Sequence, residues 1–456
     1  MKKLIDENKI ETLLKNVSDP LAVRDILKKS KNLERLSLEE TSILLNTVDE
    51  KLWEEIFEAA SYVKTKIYGN RLVLFAPLYI SNLCKNECLY CGFRASNKDV
   101  HRQVLTQEEI HNETLALLKT GQKRILLVSG EAYPNGKLDY IIDSIKTVYS
   151  VQDGKNNIRR LNVNIAPLTT EEFIKIKEAD IGTYQLFQET YHKPSYKKLH
   201  TKGPKSDYDY RLQTIDRAFE AGIDDVGIGI LFGLYDYKYE ILSLVSHIEH
   251  LEAKFGMGPH TISIPRLEPA TGSDLASNPP YPVDDETFKK IIAILRLTVP
   301  YTGLILSTRE NPKMRHEAMN LGISQISAGS KTNPGGYSSG KSVEQFSLGD
   351  HRSLDEVILD ICSKDAIPSF CTSCYRLGRT GLDFMEYAKP GDIRKKCLPN
   401  ALYTFQEYID DYATEETKKI GMKMIKKQLL DIPESIRERV ITNLNKIKKG
   451  ARDLYE

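Results

Sequence analysis

Residues 71–91 read RLVLFAPLYISNLCKNECLYC. Ten uncharged residues follow Arg71, mostly branched or aromatic, and the run closes at the polar pair Ser81-Asn82. A short apolar run bounded by polar turn formers is a strand buried on both faces, as a parallel sheet requires. Seven more runs of this kind follow: RILLVSG (124–130), RLNVNIAP (160–167), TYQLFQET (183–190), DVGIGILFG (225–233), TISIPRLEP (261–269), GLILSTRE (303–310) and ISQISAGS (323–330). Amphipathic stretches of roughly ten to eighteen residues separate them. Two of these open on capping boxes, Thr106 with Glu109 and Thr169 with Glu172. Eight strand–helix units over residues 71–335 predict an α/β chain built on a full (β/α)8 TIM barrel. A doubly wound open sheet is the alternative.

Outward from the barrel, residues 1–70 read as an N-terminal helical extension, with helical periodicity in Ile5–Val17 and Trp53–Val63. After Pro334-Gly335-Gly336 the strand signal fades and charged helices take over, Glu407–Leu430 and Ile436–Lys449. Residues 336–456 are therefore expected to form a mainly helical C-terminal domain. The 64 Lys+Arg against 63 Asp+Glu leave a net charge of +1, no footprint for a polyanion, so nucleic acid is not expected as a partner. The tail lysines, such as Lys418, Lys419 and Lys423, alternate with Glu415, Glu416, Glu434 and Glu438, and read as a solvated face rather than a basic docking surface. No stretch approaches the roughly 20 apolar residues of a membrane span. Asp6 and Glu7 interrupt the N-terminus before a signal-peptide core can form. A cytoplasmic protein without membrane contact is expected.

Seven cysteines fall into two groups. Cys84, Cys88 and Cys91 follow the first strand directly; Cys362, Cys371, Cys374 and Cys397 lie near the other end. In a reducing compartment such groups read as metal ligands before disulfides. The loop after a barrel strand lies on the C-terminal face, where active sites are built. Three thiolates there can hold three irons of a 4Fe–4S cluster and leave the fourth iron open. Cys371, Cys374 and Cys397 form a second triad, because Cys362 sits in an apolar helical stripe and reads as a packed thiol. On spacing alone, a zinc staple completed by Cys362 or His351 remains an alternative.

The CxxxCxxC triad, with Tyr90 before its last cysteine, resembles the signature of the radical S-adenosylmethionine (SAM) enzymes. The resemblance implies that the open iron binds the amino and carboxylate groups of SAM and that Tyr90 lies near the adenine. Gly130-Glu131, ending the second strand, resembles the family's element for the SAM amino group. Arg211, in Tyr-Asp-Tyr-Arg-Leu, resembles its arginine for the SAM carboxylate. Gln188 and Glu189 end the fourth strand, where ribose or substrate would lie. Gly227 and Gly229 would let the adenosyl group approach the backbone. Each element alone reads as a surface carboxylate or a salt-bridge partner; their order along successive strand ends favours the cofactor.

Within this class the motifs resemble the tyrosine lyases. Of their two branches, one serves thiamine synthesis. The other serves FeFe-hydrogenase maturation and carries a C-terminal CxxC-x22-C, matched here by Cys371, Cys374 and Cys397. That resemblance implies cleavage of L-tyrosine to p-cresol and dehydroglycine at the first site. At the second, CO and cyanide would form on an auxiliary 4Fe–4S type cluster carrying an extra iron with free L-cysteine. His260 is implied as the protein ligand of that iron; its bland reading is a hydrogen-bonded histidine at the barrel rim. Transient delivery to a scaffold GTPase of hydrogenase maturation is implied too, and no catalytic residue beyond the cluster ligands. A 2-iminoacetate (dehydroglycine) synthase for thiamine biosynthesis is the alternative. For the tyrosine carboxylate an Arg fork suits best: Arg309, ending the seventh strand, with Ser307 and Ser327 as hydroxyl partners, and Arg266 next. The first triad follows strand one and His260 opens strand six, so the two sites are expected at opposite mouths, on the order of 20 Å apart. An enclosed path between them would need a barrel interior less filled than usual.

Overall fold

The structure, a computed structural model, describes residues 3–338 and 343–456. Its centre is eight parallel strands: β1 (Arg71–Ser81), β2 (Arg124–Ser129), β3 (Arg160–Asn164), β4 (Tyr184–Glu189), β5 (Val226–Ile230), β6 (Thr261–Ser263), β7 (Gly303–Leu306) and β8 (Gln325–Ser327). Each pairs with the next, and β8 returns to β1 with Leu74 opposite Ile326. The sheet is closed, a TIM barrel rather than an open sheet. All eleven residues of β1 are buried, as strands between a packed interior and a ring of helices must be.

Four helices precede the barrel, Glu7–Leu13, Pro20–Lys31, Leu38–Leu45 and Glu50–Tyr68. Each starts on a side chain that accepts an otherwise orphaned backbone N–H: Asp6, Asp19, Ser37 and Asp49. The last ends at Gly69, whose φ of 60° turns the chain into β1.

The C-terminal region is not purely helical. A further strand, β9 (Ile367–Ser369), pairs in parallel with the first residues of β1, Leu72 opposite Pro368. Three residues with a central proline give no periodic signal, so the sequence reading passes over it. β9 leads straight to Cys371, beside the start of β1. The helix Ile393–Asp411, which carries Cys397, is fastened to the barrel by buried charge. Glu407 takes Arg159 at 2.7 Å and Lys123 at 3.1 Å. No helix among the described residues is long and apolar enough to cross a membrane.

Candidate functional site

At the C-terminal mouth, Cys84, Cys88 and Cys91 face a cavity of about 220 Å³. The loop bearing them is pinned by backbone bonds, Cys91 N to Cys88 O at 3.0 Å and Leu89 N to Leu199 O at 3.0 Å. Burial pushes the Cys84 thiol up to about 11 and raises Cys88 and Cys91 as well. Free, these thiols hold their protons at neutral pH, and metal capture releases them. Gln345 Nε2 donates to the Cys91 sulfur at 3.7 Å and the Phe93 amide at 3.4 Å. Three thiols on one side of a cavity fit a cluster with one open iron better than a single ion. Among the described residues, no group of His, Cys, Asp or Glu could hold one metal ion by itself.

Beside the cysteines stands a buried quartet of charge. Arg211 Nη1 lies 2.9 Å from Glu131, and Lys205 Nζ 2.6 Å from Glu189. Burial works against these charges, yet the Arg211 and Lys205 cations hold Glu131 down at about 2. Asn86, from the cysteine loop, donates to Glu131 at 2.7 Å and ties the two features together. The hydroxyl of Tyr90 meets His200 Nε2 at 2.8 Å, which fixes its ring on the cavity wall. Gly130 is required sterically, since a Cβ there would stand 2.3 Å from the Leu83 carbonyl oxygen. Ser307, Arg309, Ser327 and Glu268 line the same cavity. The Arg309 guanidinium rests on the Phe346 ring, 3.3 Å from its centroid, and Glu268 is raised by burial and by Glu310.

At the other mouth, Cys371, Cys374, Cys397 and His260 line a second, smaller pocket with Arg71 and Arg160. Cys371 sits at φ +49°, a conformation rare outside glycine and concentrated at functional sites. Cys374 and Cys397 are coupled: their mutual hydrogen bond pulls Cys374 down and, with burial, drives Cys397 up. Burial pushes His260 to about 4, with Asp225 opposing. Its neutral ring turns Nδ1 toward Asp225 Oδ2 at 3.6 Å and packs on Phe384. The donor set suits a cluster, and unpartnered guanidinium nitrogens on Arg71 and Arg124 suit its negative charge.

The two cavities abut inside the barrel. Phe75 lines the upper and Val73 the lower; on β8, Ser327 lines the upper and Gln325 the lower. Positions two apart on a strand are ~7 Å apart, so a single layer of side chains divides them.

Most residues singled out from the sequence meet in these cavities, and some do not. Gln188 is turned away, because Glu189 faces the cavity and the strand alternates; the register shifts between Phe187 and Glu189, and Glu189 takes φ +72°. Gly227 and Gly229 face neighbouring strands, where a Cβ would meet Thr261 and Phe187. The lack of a side chain there serves barrel packing. Arg266 is engaged by Asp285 at 2.9 Å and by Glu310, so it serves neither cavity. Cys362 is packed in the helix Leu354–Ser363. Sequence reading missed Asn86, Lys205, Glu268 and Gln345, which carry no motif. It also missed a signal in plain view: three of the eight apolar runs open on arginine, at Arg71, Arg124 and Arg160.

Residues 78–246 match the family model of the radical SAM superfamily, and residues 263–367 that of the Biotin and Thiamin Synthesis associated domain. The 2-iminoacetate synthase of Salmonella typhimurium is 34% identical over 333 residues, 73% of this chain and 86% of that one. That of Escherichia coli is 32% identical over 344 residues, 75% and 89%. A crystal structure of HydG, a maturase of the FeFe-hydrogenase, is 50% identical with a TM-score of 0.96, covering 99% of this chain and 100% of that one. HydG from Carboxydothermus hydrogenoformans is 42% identical with a TM-score of 0.83 over 96% of both chains.

Proposed function

The chain belongs to the branch of the radical SAM superfamily that holds the 2-iminoacetate synthases and HydG, and from that premise we propose a two-site tyrosine lyase. It cleaves L-tyrosine to p-cresol and dehydroglycine at the upper mouth. At the lower mouth it forms CO and cyanide for assembly of the FeFe-hydrogenase H-cluster. The observation that carries the second half is the pocket shared by Cys371, Cys374, Cys397 and His260 at the barrel floor.

Cys84, Cys88 and Cys91 would hold a 4Fe–4S cluster, which with bound SAM supplies a carbon-centred radical. The protein's own part is positioning. The quartet of Arg211, Lys205, Glu131 and Glu189 is neutral overall. The amino-acid end of SAM can exchange into it, ammonium toward Glu131 and carboxylate toward Arg211, without a change in net charge. Arg309 offers a fork for the tyrosine carboxylate, with the Ser307 and Ser327 hydroxyls beside it. Glu268, facing the same cavity, suits the ammonium. Apolar walls such as Leu126, Val128 and Phe187 exclude water, which protects dehydroglycine from hydrolysis. At the floor, Cys371, Cys374 and Cys397 would hold the auxiliary cluster and His260 the extra iron with free L-cysteine, a centre that supplies an open metal position for CO and cyanide. Hand-over to a scaffold GTPase of hydrogenase maturation completes this reading.

Identity to the 2-iminoacetate synthases over 86% and 89% of their lengths favours a second reading, an enzyme that stops at dehydroglycine. Anaerobic incubation of the reconstituted protein with SAM, tyrosine and dithionite separates the two. The expected products are 5′-deoxyadenosine, p-cresol and CO. Release of p-cresol without CO favours the second reading, and absence of 5′-deoxyadenosine sinks both.

A further inference from the structure

We propose that Gln345 is a positioning residue of the first site: its side-chain amide, aimed by Tyr79, sets the reduction potential of the cluster that Cys84, Cys88 and Cys91 would hold. Gln345 comes to the site from 254 residues beyond Cys91 in the chain. Backbone bonds fasten its segment across the C-terminal mouth: Gln345 N to Thr332 O at 3.0 Å, Ser347 N to Pro269 O at 2.9 Å and Gly349 N to Thr308 O at 2.9 Å. Gly92, next to Cys91, admits this approach, since a Cβ there would stand 2.9 Å from the Gln345 carbonyl oxygen. The buried Tyr79 hydroxyl donates to Gln345 Oε1 at 2.7 Å, and Gln345 Nε2 donates to the Cys91 sulfur at 3.7 Å. Tyr79 is itself held edge-on by Phe93, with ring centroids 6.1 Å apart and planes at 81°. Among the described residues, no other side chain donates to a sulfur of this triad.

The relay has one sense. A thiolate accepts hydrogen bonds and donates none, so the amide turns its NH2 to Cys91 and its carbonyl to Tyr79. The Tyr79 hydroxyl enforces that choice; without it, nothing stops the amide from turning its oxygen toward the sulfur. Reduction adds one electron to the cluster and no proton, so negative charge on the thiolates rises. A donor to sulfur is therefore worth more in the reduced state, and the potential goes up. Gln345 thus eases delivery of the electron on which the first site depends. Its side chain stands on the cavity wall, half-buried, and not in the packed core. Its neighbour Phe346 lies against Arg309, so one short segment touches both the cysteine loop and the cation proposed above for tyrosine. The inference rests on the reading of the first triad as the ligands of a SAM-binding cluster.

The test is an anaerobic redox titration of reconstituted holoenzyme, followed by electron paramagnetic resonance. In a parallel sample, the signal whose shape changes on adding SAM belongs to the first cluster; the signal that does not change is the internal control. Gln345→Leu should make reduction of the first cluster about tenfold less favourable, a fall of about 59 mV for one electron, the worth of one charge-assisted bond. The control potential should stay where it is. Gln345→Glu, of the same size but without a donor, should fall at least as far, and it serves where the leucine variant fails to retain iron. Tyr79→Phe should fall part of the way, and in the Gln345→Leu background it should shift nothing further, because Tyr79 acts through the amide. Should neither Gln345 variant retain iron, Tyr79→Phe decides alone. Unmoved potentials, or a Tyr79→Phe effect that persists without Gln345, would overturn the relay. A parent with no SAM-responsive signal defeats the reading of the first triad and this inference with it. A SAM-responsive signal whose potential ignores these substitutions defeats the inference alone.

Discussion

Arg309 meets the cavity with a guanidinium whose one direct polar contact among the described residues is the Arg266 carbonyl, at 3.4 Å. Burial lowers its basicity, and Tyr79, Glu268 and Glu189 partly restore it. A cation held this way, on an aromatic face and without a carboxylate of its own, is ready for one from a ligand. Arg309→Lys replaces a fork with a point charge, at a cost of about 1.5–3 kcal/mol in tyrosine binding. The expected result is a tyrosine KM raised roughly tenfold to 150-fold with SAM binding retained. An unchanged KM would place the carboxylate elsewhere. At this scale the sequence is legible wherever chemistry dictates spacing. Cys84, Cys88 and Cys91 can be found because three thiols within eight residues on one loop can reach a common centre. Lys205 cannot, because it reaches Glu189 from a turn at Pro204–Ser206 that no strand end announces.

Among the elements, strands buried on both faces leave a clear trace, and all eight barrel strands lie within the apolar runs read from the sequence. β9 leaves none, since it borrows its stability from β1 and not from its own three residues. Helix Tyr237–Phe255 holds the end of β4 through Glu240, which accepts from the Thr190 hydroxyl and from Tyr191 N at 2.8 Å. Desolvation pushes this carboxyl up to about 8, against the bonds from Thr190, Tyr191 and His192. A folded pKa above the unfolded value gives stability that is whole below the unfolded pKa, about 4.3, and is lost as pH rises toward 8. Glu240→Gln removes the titration and leaves a pH-independent offset. Anaerobic denaturant unfolding should show the variant gaining about 2 kcal/mol on its parent between pH 6 and 8. A gap that stays constant with pH would contradict this assignment.

Across the whole molecule, the barrel presents one cysteine triad at each mouth and keeps two abutting cavities between them. Placement of the first triad and of His260 at opposite mouths follows from strand order alone, because Cys84 comes after a strand and His260 before one. How the C-terminal domain docks does not follow. That depends on the buried bonds from Lys123 and Arg159 to Glu407, long-range pairs with no local pattern. Division of labour between the mouths is the central claim, and the double variant Cys371→Ser, Cys374→Ser tests it most directly. Both substitutions lie at the floor, away from the quartet and Arg309, so cleavage of tyrosine should proceed. With SAM, tyrosine and dithionite, the account predicts p-cresol and 5′-deoxyadenosine near the parent's rates and no CO. Loss of p-cresol despite a loaded first cluster, or CO at the parent's rate, would contradict it.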